Sequence, residues 1–374
     1  MNKKKIFILI LIFLLIAIVV TFSILYSKNL TVRVFFDEYI FRKNITENTL
    51  PKISADESCS FSFNDNLVVL EKNELAFYNS SATKITSLDI ELSEPIFVAC
   101  GKYLCIAEKN GDRIYLISNR NIIWQKDVEG KITNISVNKN GYVVASISDT
   151  TYKTICKVYN ESGVELFTTY LSQTDIIASA ISNDNKFLAL AEADFSGIAI
   201  QSSVKIISID KALANDSNTT QYNYTAPMGD LIINIQYCNN NLVCLYDNHI
   251  DIVNDNNIYE VTNFENTKIL FADINNKLVQ IEKRSTGLIS SEFEIQILDI
   301  PSLEKKVFSL DKEPKSLEVF GNIIAVNFGT EVLFINNYGW LIKKYTSSQE
   351  IQSITISNNL AGIIYKDKIE FLNL

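Results

Sequence analysis

Residues that could carry out acid–base or metal chemistry are scarce in this sequence. His249 is the only histidine, so a histidine metal site or a Ser-His or Cys-His dyad has a single candidate. It lies in the stretch YDNHIDIV, where alternating apolar residues indicate a strand that begins beside a turn. That context favours a surface or strand-packing histidine over a catalytic one. The sequence also has no glycine-rich phosphate-binding loop.

Six cysteines could form disulfides if the chain folds in an oxidising compartment. Cys100 with Cys105, and Cys238 with Cys244, flank tight turns and could face each other across paired strands. All four occupy apolar strand positions in a chain large enough to fold without a covalent staple. We therefore expect free, buried thiols, with a disulfide in either pair as the alternative.

Asparagine-rich runs are the remaining candidates for binding a metal ion. The runs 239–241 and 254–257 carry side-chain oxygens, but neither has the spaced carboxylates of a calcium loop. The chain has only 12 glycines and 5 prolines, and asparagine can replace them in turns because it tolerates the left-handed conformation. We predict turns at these runs, and neither a metal nor a cofactor.

The elements that position these residues are copies of one hairpin, clearest at 179–191, SAISNDNKFLALA. An apolar run leads into a polar turn, and a second apolar run leaves it, as two paired strands should. Start-to-start spacings of 36 to 56 residues match the period of a four-stranded propeller blade. The eight copies begin at Ser60, Ile96, Ile135, Ser179, Ile235, Phe271, Leu317 and Ile354.

The repeats predict an all-β fold, a β-propeller of four-stranded antiparallel blades over residues 59–374. Eight blades are the first choice and seven the second. The last repeat supplies only three strands before the chain stops. Because rings of blades usually close by borrowing a strand from the other terminus, we expect a segment between Thr31 and Ser58 to complete it. The alternative is a three-stranded last blade.

The N-terminus reads as a membrane anchor. Residues 1–5 form a basic tail with Lys3, Lys4 and Lys5, and residues 6–27 are almost entirely apolar and without charge. At about 1.5 Å per residue this segment spans roughly 30 Å, the thickness of a bilayer core. A cleaved signal peptide is the alternative, although no small-residue cleavage site follows. The lysines predict a cytoplasmic tail, which places the propeller outside the cell membrane.

Residues 28–58 form a juxtamembrane segment. Val32, Phe35, Phe36, Tyr39 and Ile40 recur at helical spacing with charged residues between them. This pattern predicts a short amphipathic helix that continues the anchor or lies on the membrane surface. The competing interpretation is a strand over residues 31–36.

A second hairpin follows the first within the blades, and the two tryptophans come just after its turn. Gly163 and Gly339 stand where such a turn requires a positive φ. We expect Trp124 and Trp340 to lie against neighbouring blades.

These residues also carry a family resemblance. The turn SNDNKFLALA resembles the S-x-D-G-K-x-L-A hairpin of WD40 and TolB-like propellers, with Asn185 in place of glycine, and the second hairpin with its tryptophan is similar to quinoprotein-like repeats. The basic tail, the anchor, the RxxFDxYxxRK stretch at 33–43 and the LPKI stretch at 50–53 resemble a bacterial family of membrane-anchored propellers. That resemblance implies fold and topology, and no activity.

Two blades are lengthened by similar insertions between their second and third strands, DFSGIAIQSSVKIISID from Asp194 and RSTGLISSEFEIQILDI from Arg284. In propellers such loops form one rim of the ring, where ligands often bind. The alternative is that both are hairpins folded onto their own blades. A third long stretch, residues 211–228, reads as a solvated loop. The predicted binding residues are Phe195, Gly197, Ile198, Gly287, Leu288 and Ile289.

Net charge limits the partners. The chain carries −9, and −12 without the three tail lysines, so a nucleic-acid backbone would be repelled. The first hypothesis is a non-enzymatic, membrane-anchored binding or scaffold module for a protein, peptide or glycan, with the bilayer as partner of residues 6–27. The alternative is an envelope enzyme of lyase or quinoprotein type that uses rim carboxylates. A passive structural role is a third hypothesis.

Overall fold

The computed structural model of the chain describes residues 3–41, 51–54, 59–71, 73–254, 257–263, 267–274, 277–285 and 291–374. Over these ranges the strands form eight four-stranded antiparallel sheets, one for each predicted repeat. The prediction of eight blades, rather than seven, is confirmed. Residues 42–50, which include part of the juxtamembrane motif, lie outside the described residues.

Within the described ranges, three short helical stretches and one long helix accompany the strands. They are α1 (Lys3–Lys28), α2 (Leu30–Phe35), a π-helical turn (Phe36–Ile40) and α3 (Ile209–Leu213).

The strands fall into blades in chain order. Strand β1 (Lys52–Ser54) comes first and stands apart from the blade that follows it. Blade 1 contains β2 (Cys59–Phe63), β3 (Asn66–Glu71), β4 (Glu74–Tyr78) and β5 (Lys84–Asp89). Blade 2 contains β6 (Pro95–Cys100), β7 (Tyr103–Glu108), β8 (Arg113–Ser118) and β9 (Asn121–Asp127). Blade 3 contains β10 (Lys131–Val137), β11 (Val143–Ser148), β12 (Thr154–Tyr159) and β13 (Glu165–Leu171).

The longer blades follow. Blade 4 contains β14 (Asp175–Ile181), β15 (Phe187–Asp194), β16 (Gln201–Ser208) and β17 (Thr220–Thr225). Blade 5 contains β18 (Ile232–Cys238), β19 (Asn241–Tyr246), β20 (His249–Asn254) and β21 (Asn257–Asn263). Blade 6 contains β22 (Thr267–Ile274), β23 (Lys277–Ser285), β24 (Ser291–Asp299) and β25 (Lys305–Leu310). Blade 7 contains β26 (Ser316–Phe320), β27 (Ile323–Asn327), β28 (Glu331–Asn336) and β29 (Leu341–Thr346). Blade 8 contains β30 (Ser353–Ile356), β31 (Leu360–Ile364) and β32 (Lys368–Asn373).

Position within a blade explains the sequence pattern of each strand. The second strands are covered on both faces by neighbouring blades, so β3 and β7 are buried through five consecutive residues and read as continuous apolar runs. The outermost strands have fewer neighbours, and β9 alternates between exposed and more buried positions. The core is therefore a series of apolar layers between blades.

The ring closes through β1, which is the outermost strand of blade 8. Ile53 pairs with Ile369, and the Phe371 N–H donates a 2.9 Å hydrogen bond to the Pro51 carbonyl. Blade 8 also approaches blade 1 closely, since a Cβ at Gly362 would lie 2.6 Å from the Leu67 side chain. The expectation of a borrowed closing strand is confirmed, and the three-stranded alternative is wrong.

The first part of the juxtamembrane segment, residues 30–40, is helical, so the strand interpretation of residues 31–36 is wrong. Asn29 begins α2 as its N-cap, accepting a 2.9 Å hydrogen bond from the Val32 N–H. Its buried face differs from the simple amphipathic expectation, because Arg33 and Asp37 are buried while Tyr39 is exposed.

The stretch 211–228, predicted as a solvated loop, contains regular structure. Its first residues complete α3, for which Ser208 serves as the N-cap, and its middle forms β17, the outer strand of blade 4. The polar composition reflects an edge strand that is mostly exposed, and not the absence of a strand.

Candidate binding rim and channel carboxyls

The alternating strand directions give the ring two faces. The loops between second and third strands, together with the connections between blades, lie on one face, which we call the rim face. The turns between first and second strands, and between third and fourth strands, lie on the opposite turn face. The predicted binding residues belong to the rim face.

The rim loop of blade 4, between β15 and β16, is solvent-facing and partly apolar. Phe195 is 48% exposed, and Ile198 is fully exposed. The Lys153 ammonium, in the corresponding loop of blade 3, lies 5.9 Å from the centre of the Phe195 ring. Hydrogen bonds from Ser196 lower the pKa of Asp194 and hold the start of this loop. Phe195, Gly197 and Ile198 thus lie together on the rim face, beside the loop of the preceding blade.

The second half of the predicted binding site comes from the insertion in blade 6. Gly287, Leu288 and Ile289 lie outside the described residues, so their part in a binding rim stays a prediction.

The rim face also carries a cavity of about 740 Å³ between blades 7 and 8. Three separate connections supply its walls, and this is why no local sequence pattern indicated it. Lys315 pairs with Glu350 at the wall, so the lining mixes both charges. The lining residues are Lys315, Gln349, Glu350, Ile351, Gln352, Tyr365, Lys366 and Asp367.

Side chains from neighbouring blades satisfy free backbone groups on the innermost strands. The Ser62 N–H donates to Thr355 Oγ1 at 2.6 Å, and Asn134 Nδ2 donates to the Ile177 carbonyl at 2.8 Å. A strand edge without such partners would leave buried polar groups unpaired. These bonds therefore join adjacent blades around the central channel.

One such contact involves an acid. Asp273 on β22 accepts a 3.3 Å hydrogen bond from the Val319 N–H on β26, next to Glu318. Burial raises the pKa of Asp273 to about 6. Burial and the nearby Asp273 charge raise the pKa of Glu318 to about 8. Sequence reasoning missed this pair because the two acids belong to different repeats and come together only in the ring.

His249 packs against the sheet. It is buried, its ring stacks on Tyr246 at 4.2 Å, and its Nε2 lies 3.5 Å from the Asp251 carboxylate. This is the strand-packing environment that its sequence context favoured. Within the described part of the chain, no group of three or more His, Cys, Asp or Glu residues is placed to hold a metal ion.

All six cysteines are free, as expected from their apolar positions. Strand register explains why neither candidate pair is joined, since Cys105 lies opposite Val98 and Cys244 lies opposite Ile235. Burial raises the pKa of the Cys105 and Cys244 thiols, which keeps them protonated and unreactive.

The two tryptophans differ in environment. Trp124 is buried against blade 3, where a Cβ at Gly163 would lie 2.8 Å from the indole ring, so this expectation is confirmed. Gly163 and Gly339 both have the predicted positive φ, 78° and 71°. Trp340, by contrast, is 54% exposed, and its packing against a neighbouring blade stays a prediction.

The fold defines the chain as an eight-bladed β-propeller preceded by one apolar helix. Residues 37–374 match DUF5711, a family of unknown function, and the chain belongs to that family. No curated protein matches the sequence.

Solved propellers share the fold at low sequence identity. The chain is similar to the C-terminal WD40 domain of Sif2, with TM-score 0.57 and 13% identity over 88% of this chain and 99% of that one. Sqt1 of Chaetomium thermophilum, bound to the N-terminus of ribosomal protein L10, gives 0.55 and 11% over 87% and 100%. BamB of Moraxella catarrhalis gives 0.52 and 10% over 87% and 99%. At such identities the likeness establishes the fold alone.

Proposed function

We propose that the chain is a non-enzymatic binding or scaffold module, anchored in the cell membrane, that presents its rim face outside the cytoplasm to a protein, peptide or glycan. The exposed loop of blade 4, with Phe195 and Ile198, is the observation that carries this proposal. Exposed apolar side chains on a rigid rim are typical of recognition surfaces.

The N-terminal helix supports the anchor. Leu9–Lys28 is long and apolar enough to cross a membrane, and none of it is buried in the protein. A signal peptide removed near residue 28 would take away the Tyr26 and Ser27 carbonyls. Arg33 donates hydrogen bonds to both, at 2.9 and 2.8 Å, and would lose these partners. The three tail lysines favour a cytoplasmic N-terminus.

The partner class follows from fold and charge. The Sqt1 structure holds a segment of another protein on the same fold, which supports a protein or peptide here. A net charge of −9 disfavours nucleic acid.

Affinity purification that preserves the envelope tests this proposal. We expect a partner with the wild-type chain and a loss of roughly tenfold or more when Phe195→Ala and Ile198→Ala are combined, because each removes apolar contact area. Val164→Ala with Ile123→Ala is the matched control, since both residues are exposed but lie away from this loop. Equal recovery with both double variants, or no partner of the wild type, would reject the rim as the binding surface.

The enzyme alternative has one observation in its favour, the carboxyl pair Asp273 and Glu318. A protonated Glu318 beside a hydrogen-bonded Asp273 is an arrangement that general acid–base catalysis can use. An envelope activity that Glu318→Gln abolishes, while the Phe195 and Ile198 variants leave it intact, would favour the enzyme.

A further inference from the structure

We propose that the outer edge of blades 6 and 7 is a second membrane contact, seated in the lipid–water interface of the bilayer that α1 crosses. The inference rests on the proposed anchoring. It adds that the propeller is held on the membrane in one orientation and is not attached through a flexible linker.

The first step concerns how deep in the bilayer the π-helical turn after the anchor would lie. The chain folds back beside the end of α1, because the Phe36 ring lies 4.6 Å from Phe22 and the Phe41 ring lies 6.2 Å from Tyr26. The Tyr26 hydroxyl donates a 2.7 Å hydrogen bond to the buried Asp37 carboxylate. The π-helical turn therefore lies level with the last turns of the apolar helix, where the hydrocarbon gives way to headgroups.

The second step is the connection to the propeller. Arg33 is only 4% exposed, and besides its two bonds to α1 it donates a 2.6 Å hydrogen bond to the Tyr338 carbonyl in the turn between β28 and β29. Its guanidinium also lies 5.0 Å from the centre of the Phe308 ring on β25. One cation thus joins the helix end, α2 and the edges of two blades.

Apolar packing and an ion pair strengthen this connection. Leu30 and Val34 belong to the same buried cluster as Phe308 and Leu341. Farther along, Lys344 on β29 pairs with Glu38 at 3.2 Å, and both side chains are less than one-fifth exposed. The helix end and blades 6 and 7 therefore move as one body.

The third step is what this body leaves uncovered. Aromatic and aliphatic side chains surround the helix end, and each is 52 to 62% exposed. Lysine accompanies them, since the Lys306 ammonium lies 4.0 Å from the centre of the Tyr338 ring. We call these side chains the interfacial patch: Phe35, Tyr39, Ile40, Phe41, Tyr338 and Trp340.

The bilayer is the occupant that these observations favour. Tyrosine and tryptophan concentrate where lipid headgroups begin, and lysine beside them meets anionic headgroups. The patch is continuous with Leu9–Lys28, the helix that would cross the same bilayer. A protein partner or a second copy of the chain would need no such continuity.

Tryptophan fluorescence of the full-length chain in nanodiscs of phosphatidylcholine and phosphatidylglycerol tests the proposal. The chain has two tryptophans, so Trp124→Phe leaves Trp340 as the only emitter and Trp340→Phe leaves the buried Trp124 as control. With acyl chains brominated near the headgroup, we expect roughly half or more of the Trp340 emission to be quenched and little of the Trp124 emission.

Arg33→Ala, made in the Trp124→Phe background, should reduce this quenching because the edge of the blades is released. Arg113→Ala, which removes an exposed ion pair with Asp127, should leave it unchanged.

Each other outcome overturns the proposal. If chains co-elute with the nanodiscs but brominated lipid does not quench Trp340, the interfacial patch does not contact the membrane. The proposed anchor would be unaffected by that result. Unquenched emission that is also shielded from acrylamide would indicate a protein partner or a second copy. Failure of the chain to co-elute with nanodiscs would reject both the proposed anchor and the proposed second membrane contact.

Discussion

Asparagine is the residue that allows this chain to turn tightly with few glycines. Asn185 stands where the resembling hairpins have glycine, and its φ is 63°, in the left-handed region that asparagine tolerates. Its amide also accepts a 2.6 Å hydrogen bond from Asn138 in the neighbouring blade. Other described asparagines with positive φ are Asn64, Asn110, Asn119, Asn215 and Asn239. The sequence predicted this use of asparagine because turn chemistry is local.

Glu318 predicts a pH dependence of stability. Its folded pKa of about 8 is raised above the ordinary value near 4.5, so at intermediate pH the folded chain holds a proton that the unfolded chain has lost. Stability should therefore be highest near the unfolded pKa or below, and fall as pH rises towards about 8. Asp273, with a folded pKa of about 6, acts in the same direction at lower pH.

Glu318→Gln removes this dependence. Relative to wild type, we expect the variant to gain on the order of 4 kcal/mol in the free energy of unfolding between about pH 5 and pH 8.5. Urea unfolding of the full-length chain in detergent measures it, with Glu161→Gln as an exposed control. Parallel pH profiles for wild type and Glu318→Gln would show that Glu318 is already ionised in the folded chain.

Arg33 marks the limit of what residue patterns could predict. Spacing placed Arg33 and Asp37 on the polar, solvent-facing side of a helix, yet both are buried. Their burial depends on partners that no local pattern reveals, such as the Tyr338 carbonyl, 305 positions along the chain. The exposure of Trp340 depends in the same way on the surroundings of its turn, whose Tyr338 carbonyl accepts the hydrogen bond from Arg33.

At the scale of elements, the closing strand makes a sharp prediction. Ile53 contacts the apolar cluster of Leu67, Val69 and Phe371 between blades 8 and 1. Ile53→Asp puts a charge there and should lower the free energy of unfolding by about 2–3 kcal/mol. Ser54→Asp introduces the same charge at an exposed position of the same strand, opposite Lys368, and should cost less than about 0.5 kcal/mol.

Amide hydrogen exchange identifies the strands that Ile53→Asp destabilises. We expect Ile53→Asp to raise exchange first in β32, which loses its outer partner, and only then in β31 behind it. Equal unfolding free energies for the two variants would mean that β1 contributes nothing to ring closure.

The sequence indicated most of the blade elements but not all of them. Each inner hairpin consists of two apolar runs separated by a short polar turn, so the eight repeats could be recognised from short stretches of sequence. A three-residue strand such as β1 is too short to show an alternation of apolar and polar residues. The sequence could therefore place it only somewhere between Thr31 and Ser58. Strand β17 was missed because an exposed edge strand is polar enough to resemble a loop.

The candidate site divides in the same way. The blade 4 loop could be predicted because it interrupts a regular period, and Phe195 and Ile198 are exposed as a rim requires. The cavity between blades 7 and 8 and the pair Asp273 and Glu318 could not be predicted. Both are assembled from residues of different repeats, and their neighbours are set by the ring and not by the chain.

At the scale of the whole molecule, the proposed anchoring and the proposed recognition use different faces of the ring. The turn that carries Tyr338 belongs to the turn face and lies beside the helix end, whereas the Phe195 loop belongs to the rim face of a blade farther around the ring. A chain anchored as we propose would hold the Phe195 loop in solvent.

Site-directed labelling in intact cells tests the central claim, an anchored propeller outside the cytoplasm, most directly. With the two partly exposed cysteines removed by Cys59→Ser and Cys100→Ser, Ser196→Cys provides a thiol on the exposed rim loop and Lys4→Cys one in the tail. We predict that a membrane-impermeant maleimide labels Ser196→Cys at once and Lys4→Cys only after the membrane is disrupted. Labelling of Lys4→Cys in intact cells with Ser196→Cys protected, or release of the propeller into the medium, would contradict the account.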